Sequence, residues 1–264
     1  MPCLVIITGA SRGLGRALAL SLAKSLRTDI DMRLTASPSS IAQLAALSAE
    51  IKAIRAGYEH STMVECLTAD LSDVDGLPSF ASLLFSRPKN IDFSQVVFVN
   101  NHGSLGDLSP VGTHDAHRMQ TAFNVNLTST CFLSSEAVKF AKSLPTNTTV
   151  QIINISSLCA LQAFPSWAIY CAGKAARDMY HRTLAEELKG THVKTLNFAP
   201  GPLDTDMQKQ IREAPEVDEP TRRVFLDLKE QGKLVTPEAS AEKLVKLVSE
   251  NSYESGSHLD YYDL

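Results

Sequence analysis

The sequence has no excess of positive charge: 25 lysines and arginines stand against 29 acids, for a formal net charge of −4. Nothing in that balance draws nucleic acid, and no polybasic stretch marks a membrane surface. No apolar run approaches the ~20 residues that cross a bilayer. The five cysteines, Cys3, Cys66, Cys131, Cys159 and Cys171, are scattered and never spaced CxxC. That excludes a disulfide framework or zinc site as the first reading and favours a reducing compartment. Linkers, repeats and low-complexity segments are missing too. The apolar opening, Met1 to Ala10, has no basic flank and runs into glycines, so it reads as a strand and not a signal peptide. Three sequons begin at Asn126, Asn147 and Asn154, and two of them fall in segments expected to be core. A small molecule is the partner left by these absences.

What is present is alternation. Chain length, 264 residues, suits one α/β domain. Apolar runs at Leu4–Thr8, Met32–Ala36, Met63–Leu67, Val96–Val99, Val150–Ile155 and Val193–Phe198 read as strands, with a short last strand after Gly256–Leu259. Helical spacing falls between them, at Gly13–Leu26, Ile41–Arg55, Gly76–Phe85, Thr113–Lys142 (one long helix), Trp167–Leu188 and Ala239–Ser249. Strands apolar on both faces and separated by helices imply a parallel sheet covered on both sides. The expected fold is a single Rossmann-like, doubly wound α/β domain, residues 1–264, with about seven strands. Ala214–Pro237 carries three prolines and mixed charge and reads as irregular. Following the Pro200–Gly201 turn, residues 199–237 are expected to form a substrate-side loop or lid, against the plainer reading of a surface excursion.

Thr8-Gly9-Ala10-Ser11-Arg12-Gly13-Leu14-Gly15 closes the first strand and opens the first helix. Glycines at GxxxGxG spacing let backbone approach a pyrophosphate, and the helix N-terminus offers free N–H groups. Strand two ends in Ser37 with no acid, whereas an NAD site carries Asp or Glu there. Arg12 could pair with a 2′-phosphate, assisted by the hydroxyls of Ser37 and Ser39. NADP(H) is therefore the expected cofactor. Asp70-Leu71, at the end of strand three, is placed for the adenine, although Asp70 could equally cap the next turn.

Tyr170 and Lys174 lie one turn apart on one helix face. A lysine charge there is expected to lower the phenol's pKa, so that Tyr170 can protonate a carbonyl oxygen. Ser157, thirteen residues earlier at the end of strand five, could hold that oxygen. Asn126, a polar amide inside the long helix, could reach Lys174 through a water. Weaker candidates have plainer readings. His114, Asp115 and His117 resemble a metal cluster but open a helix, where Asp suits the dipole. Cys159 and Cys171 could be redox-sensitive or simply buried thiols. Asp204 and Asp206 read as caps for the helix that follows.

The glycine loop, Asn100-Asn101-His102-Gly103, the Ser157/Tyr170/Lys174 set and Pro200-Gly201 together resemble the short-chain dehydrogenases/reductases, over essentially the whole chain. Within that family Gly103–Asp107, Asn154–Gln162, Tyr170–Met179, Ala199–Met207 and the tail Ser255–Asp263 are similar to members that reduce pterins. The resemblance implies NADPH-dependent reduction of the side-chain ketones of 6-pyruvoyl-tetrahydropterin and sepiapterin. It also implies a cytosolic homodimer joined through the two long helices. By position it gives Asp260 as pterin anchor, whose carboxylate would accept two parallel hydrogen bonds from the aminopyrimidinone edge. Leu105, Leu158, Phe164, Trp167 and Met207 become pocket walls; Asn100, Pro200, Gly201, Leu203 and Thr205 become cofactor contacts. The chain departs from those members at Ser37, where they carry arginine, and at His102, where they carry alanine. Two other readings stay open: a reductase of the same family for another ketone or diketone, and a non-catalytic dinucleotide sensor or scaffold. Such a sensor would typically lack Tyr170 or Lys174.

Overall fold

The strand-forming runs are apolar on both faces, so they can be buried only between two layers of helix. That is the arrangement in the computed structural model, which describes residues 1–87 and 91–264. The strands are β1 (Cys3–Ile7), β2 (Ile30–Ala36), β3 (Thr62–Thr68), β4 (Gln95–Asn100), β5 (Thr149–Ile155), β6 (Val193–Ala199) and β7 (His258–Asp260). They form one sheet in the order β3-β2-β1-β4-β5-β6-β7, and every pairing is parallel. Along β1, Val5 and Ile7 enter one core while Leu4 and Ile6 enter the other. The first core is closed by α1 (Gly13–Ser25), α2 (Ile41–Arg55) and α9 (Pro237–Glu250). The second is closed by α3 (Leu77–Leu84), α5 (Ser129–Lys142) and α6 (Ala168–Glu187). The strand order reverses beside β1, between β2 and β4. In such sheets a crevice opens there, at the carboxyl ends of the strands.

Two segments differ from the expectation. The single helix over Thr113–Lys142 is α4 (Ala116–Phe123), a π turn over Asn124–Thr128, and then α5. It starts late because Asp115 caps it, its Oδ1 accepting from the Arg118 N–H at 3.0 Å. The π turn falls on a polar stretch whose side chains bond backbone: Asn126 holds Ser104 by both its atoms, and Ser129 Oγ donates to Val125 O. The irregular stretch Ala214–Pro237 is also corrected. It contains α8 (Glu219–Glu230), packed on α7 (Asp206–Glu213). Asp218 caps α8 through the Thr221 N–H, and Pro220 sits in its first turn, where proline starts a helix as readily as it breaks one. A parallel bridge between Leu203 and Val235 closes the base of the excursion.

Candidate active site

The carboxyl ends of the strands enclose a cleft of about 750 Å³. Its floor is the glycine loop between β1 and α1. Gly13 has φ +54, a conformation that side chains resist, and it faces the methyl of Thr205. Gly15 lies beneath the loop, where a Cβ would meet Gly9 O at 2.3 Å. Asn101 braces the loop by donating from Nδ2 to Thr8 O and Gly9 O, both at 2.9 Å. Gly9, Ser11, Arg12, Gly13 and Leu14 line the cleft on this side; Ser37, Asp70, Leu71, Pro200, Leu203 and Thr205 line the others. Asp70 also caps its own turn, as Oδ1 accepts from Ser72 N and Oγ, and those bonds hold its carboxyl below the usual range. His102 is buried. Its Nδ1 pairs with Thr8 Oγ1 at 2.7 Å and its Nε2 with Ser129 Oγ at 2.9 Å. Burial first, and then Arg177 and Lys174, push its pKa well below the histidine range, so it is neutral.

At the far end of the cleft α6 brings up Tyr170 and, one turn on, Lys174, both buried. Ser157 stands just past β5, close enough to the Tyr170 phenol to draw its pKa down against the rise from burial. Its Oγ accepts from Cys159 N at 3.2 Å, so Ser157 caps the short turn that follows while standing beside the phenol. Lys174 Nζ donates to Ile155 O at 2.7 Å and sits 5.6 Å from the Tyr170 ring centre. Outside this group an apolar cluster contains Leu105, Trp167 and Tyr170, with Phe164 and Met207 packed against it. Phe225 of α8 stacks on Trp167, with ring centres 5.3 Å apart and planes 7° from parallel. The glycine loop, the cleft at the strand reversal and a buried Ser–Tyr–Lys group occur together on one sheet.

A short chain dehydrogenase family model matches residues 3–216. The chain belongs to the short-chain dehydrogenase/reductase family. It is 40% identical to sepiapterin reductase of Bos taurus over 98% of its own length and 94% of that protein. It is 30% identical to benzil reductase ((S)-benzoin forming) of Bacillus cereus, over 96% of each. Among solved structures, a short chain dehydrogenase/reductase from Saccharomyces cerevisiae superposes with a TM-score of 0.80 at 25% identity, covering 100% of this chain and 97% of that one.

Like other short-chain dehydrogenases/reductases the protein is an oxidoreductase, and its own geometry corrects several expectations. The Tyr170 pKa is raised, not lowered as expected. Burial raises the phenol above its ordinary value, and the cation that opposes this is Arg177, fully enclosed three residues beyond Lys174. Lys174 itself is pushed down, by burial and then by Arg177. The Asn126 amide is committed to Ser104, Oδ1 accepting from its N–H and Nδ2 donating to its carbonyl, both at 2.9 Å. Its side chain therefore fixes the Gly103–Leu105 turn and does not reach toward Lys174. Asn101, not Asn100, faces the cleft; Asn100 points into the core and donates to Ser134 Oγ. Leu158 is 48% exposed and lies outside the apolar cluster. Asp204 and Asp206 do not cap α7: Asp204 pairs with Lys229 of α8, and Asp206 with Arg12. Asp260 ends β7 opposite Ala199, where its Oδ1 accepts from Tyr262 N at 3.0 Å. It is not among the residues lining the cleft.

Other residues were missed or misread. Arg16, one turn beyond Arg12, lines the cleft and pairs with Glu50; its place just past the last loop glycine was the available signal. Phe225 carried no signal once its segment read as irregular. Cys171 Sγ meets Gln162 O at 3.9 Å, and the neighbouring Cys159 thiol pulls Cys171 down to about 6 while its own is raised. Among the described residues no group of His, Cys, Asp or Glu could hold a metal ion. His114 instead contacts Ser109 O, and Asp115 caps α4.

Proposed function

We propose that the protein is an NADPH-dependent ketone reductase whose substrate is a pterin bearing a side-chain carbonyl, such as sepiapterin or 6-pyruvoyl-tetrahydropterin. The observation that carries the chemistry is the buried Tyr170, with Ser157 and Lys174 beside it, at the end of a dinucleotide-sized cleft. The residues present fit that cofactor: glycines and a helix N-terminus for the pyrophosphate, and Arg12, Arg16 and Ser37 around the place for a 2′-phosphate, with no acid at the end of β2. Bound there, NADPH supplies hydride to the carbonyl carbon. Ser157 holds the carbonyl oxygen by hydrogen bond. Tyr170, kept protonated by its raised pKa, gives its proton to that oxygen as negative charge builds on it. Lys174, anchored on Ile155 O, stands beside the ring to replenish that proton.

The pterin assignment draws on the similarity to sepiapterin reductases and on the place of Asp260. Asp260 N donates to Asp263 Oδ2 and Asp260 Oδ1 accepts one bond from Tyr262 N, which leaves a lone pair on Oδ1 and both on Oδ2 for the two donors of an aminopyrimidinone edge. Residues 199–237 act as the lid, with Phe225 on Trp167 as its apolar latch. The enzyme works as a cytosolic homodimer joined through α5 and α6, a reading supported by the exposed Met179 on α6. The second reading, a general diketone reductase, is favoured by the likeness to benzil reductase. NADPH oxidation by the purified protein with sepiapterin, beside benzil, and repeated for Asp260→Ala, decides between them. Sepiapterin turnover lost selectively in the variant supports the pterin reading; turnover of benzil alone replaces it with the diketone reading. Tyr170→Phe should abolish both turnovers while NADPH still binds, which a non-catalytic sensor would not show.

A further inference from the structure

Asp178 is buried on α6, two turns beyond Tyr170 and one beyond Lys174. Its two carboxylate oxygens serve different strands. Oδ1 accepts from Asn154 Nδ2 at 3.0 Å and from Ser156 Oγ at 2.6 Å, both of the β5 chain. Oδ2 takes His258 Nδ1 of β7 at 2.5 Å. The three strand residues beneath it lie in one row, because Asn154 pairs with Asn197 and Asn197 with His258. Two residues further along, the next row holds Ser156, Ala199 and Asp260: Ser156 N donates to Phe198 O, continuing the ladder, and Ala199 pairs with Asp260. Side chains two apart share a face of a sheet, so Asp260 lies on the α6 side, as His258 does. Adjacent strands stand about 4.8 Å apart, which puts the Asp260 backbone about 10 Å from that of Ser156, next to Ser157.

β7 is a three-residue edge strand. Its backbone ladder reaches only β6, so that ladder does not fix its distance from α6. The Asp178–His258 contact does. We infer that Asp178 and His258 form a positioning pair that fixes the span between Asp260 and the Ser157–Tyr170 group, and thereby selects a substrate of pterin length; this rests on the pterin reading above. Neither residue touches substrate. Asp178 also holds Ser156 and stands near Lys174, so its removal disturbs the reacting group directly. His258 meets only the oxygen that looks toward β7, and it isolates the effect.

The experiment compares His258→Leu, His258→Asn, Asp260→Ala and the His258→Leu/Asp260→Ala double variant, each in the full-length protein. Readouts are KM and kcat for sepiapterin and for benzil, and the Kd of NADPH. His258→Leu should raise KM for sepiapterin about tenfold or more and leave the benzil constants and NADPH Kd within about twofold. His258→Asn, whose Nδ2 replaces the imidazole Nδ1, should recover most of that loss. In the double variant, the His258 change should add little to the loss from Asp260→Ala alone. A sepiapterin KM unchanged in His258→Leu, or an equal rise in KM with both substrates, overturns the positioning role. If Asp260→Ala leaves sepiapterin KM unchanged, the pterin reading itself fails, and the positioning role falls with it whatever His258 does.

Discussion

Arg12 and Asp206, 194 residues apart in the chain, form an ion pair at the mouth of the cleft, Nη1 to Oδ2 3.1 Å. Both side chains are largely exposed, at 76% and 71%. Pairs of that kind contribute about 0–1 kcal/mol, too little to keep Arg12 from a phosphate. Asp206 opens α7, so the cofactor loop and the substrate-side excursion meet at this contact. Arg12→Ala should raise the Kd of NADPH by about tenfold and leave that of NADH nearly unchanged. Asp206→Asn frees the guanidinium, and it should tighten NADPH by at most about fivefold, the equivalent of ~1 kcal/mol. Isothermal titration with both cofactors checks the pair. Equal losses for NADPH and NADH in Arg12→Ala would move 2′-phosphate recognition to Arg16.

Gly15→Ala should destroy cofactor binding without unfolding the sheet. Its Cβ would stand 2.3 Å from Gly9 O and 2.5 Å from Asn101 Nδ2, and neither atom can yield while Asn101 braces the loop. Circular dichroism should stay native, and quenching of the Trp167 fluorescence by NADPH should be lost. An unchanged NADPH Kd would show that the loop re-forms around a methyl group.

Much of this was legible in advance, for a physical reason. β1, α2 and the Tyr170–Lys174 turn are local objects whose spacing is a property of a few consecutive residues. The boundaries of α2, Ile41–Arg55, coincide with the expectation. Contacts made by tertiary approach were not legible. Asp178 and His258 are 80 residues apart, and no pattern in the chain announces that they meet. The sign of the Tyr170 shift was misjudged because spacing reveals a neighbouring charge but not burial, and burial is the larger effect here. Helix α8 was missed because proline reads as a breaker unless its place in the first turn is known.

Cys171 should be the most readily alkylated thiol of the protein at mildly acidic pH. The neighbouring Cys159 thiol stabilises its thiolate and brings its pKa to about 6, from an ordinary 9.0. A lowered thiol pKa leaves the nucleophile present above that value and protonated below it. Iodoacetamide labelling of Cys171, followed by mass spectrometry, should therefore rise through about pH 6 and level off near pH 7. Cys159→Ala removes that neighbour and should move the rise toward the ordinary thiol range. Labelling that climbs only above pH 8 in both proteins would show that the thiol pair leaves Cys171 unactivated.

Phe225 tests whether α8 is held over the pocket by its stacking on Trp167. An aromatic pair of this geometry contributes about 0.5–1.5 kcal/mol beyond the area it buries. The exposed side of α8 carries charged residues, Arg222, Arg223 and Asp227 among them, whose ion pairs stay largely within the helix. Little else ties its outer face down. Asp204–Lys229 at the far end is a half-exposed pair of small effect. Phe225→Ala should therefore loosen the segment without disturbing the sheet, whose two cores do not include it. Trypsin should cut after Arg222 or Arg223 several-fold faster, and KM for an aromatic ketone should rise while NADPH Kd stays within about twofold. NADPH bound to the wild type should slow the cut, since Asp206 joins α7 to the loop proposed to receive it. Cleavage at the wild-type rate in Phe225→Ala would mean that the segment is held by its packing on α7 and not by Trp167, and the latch would have to be sought at Gln208, whose Nε2 donates to Phe225 O.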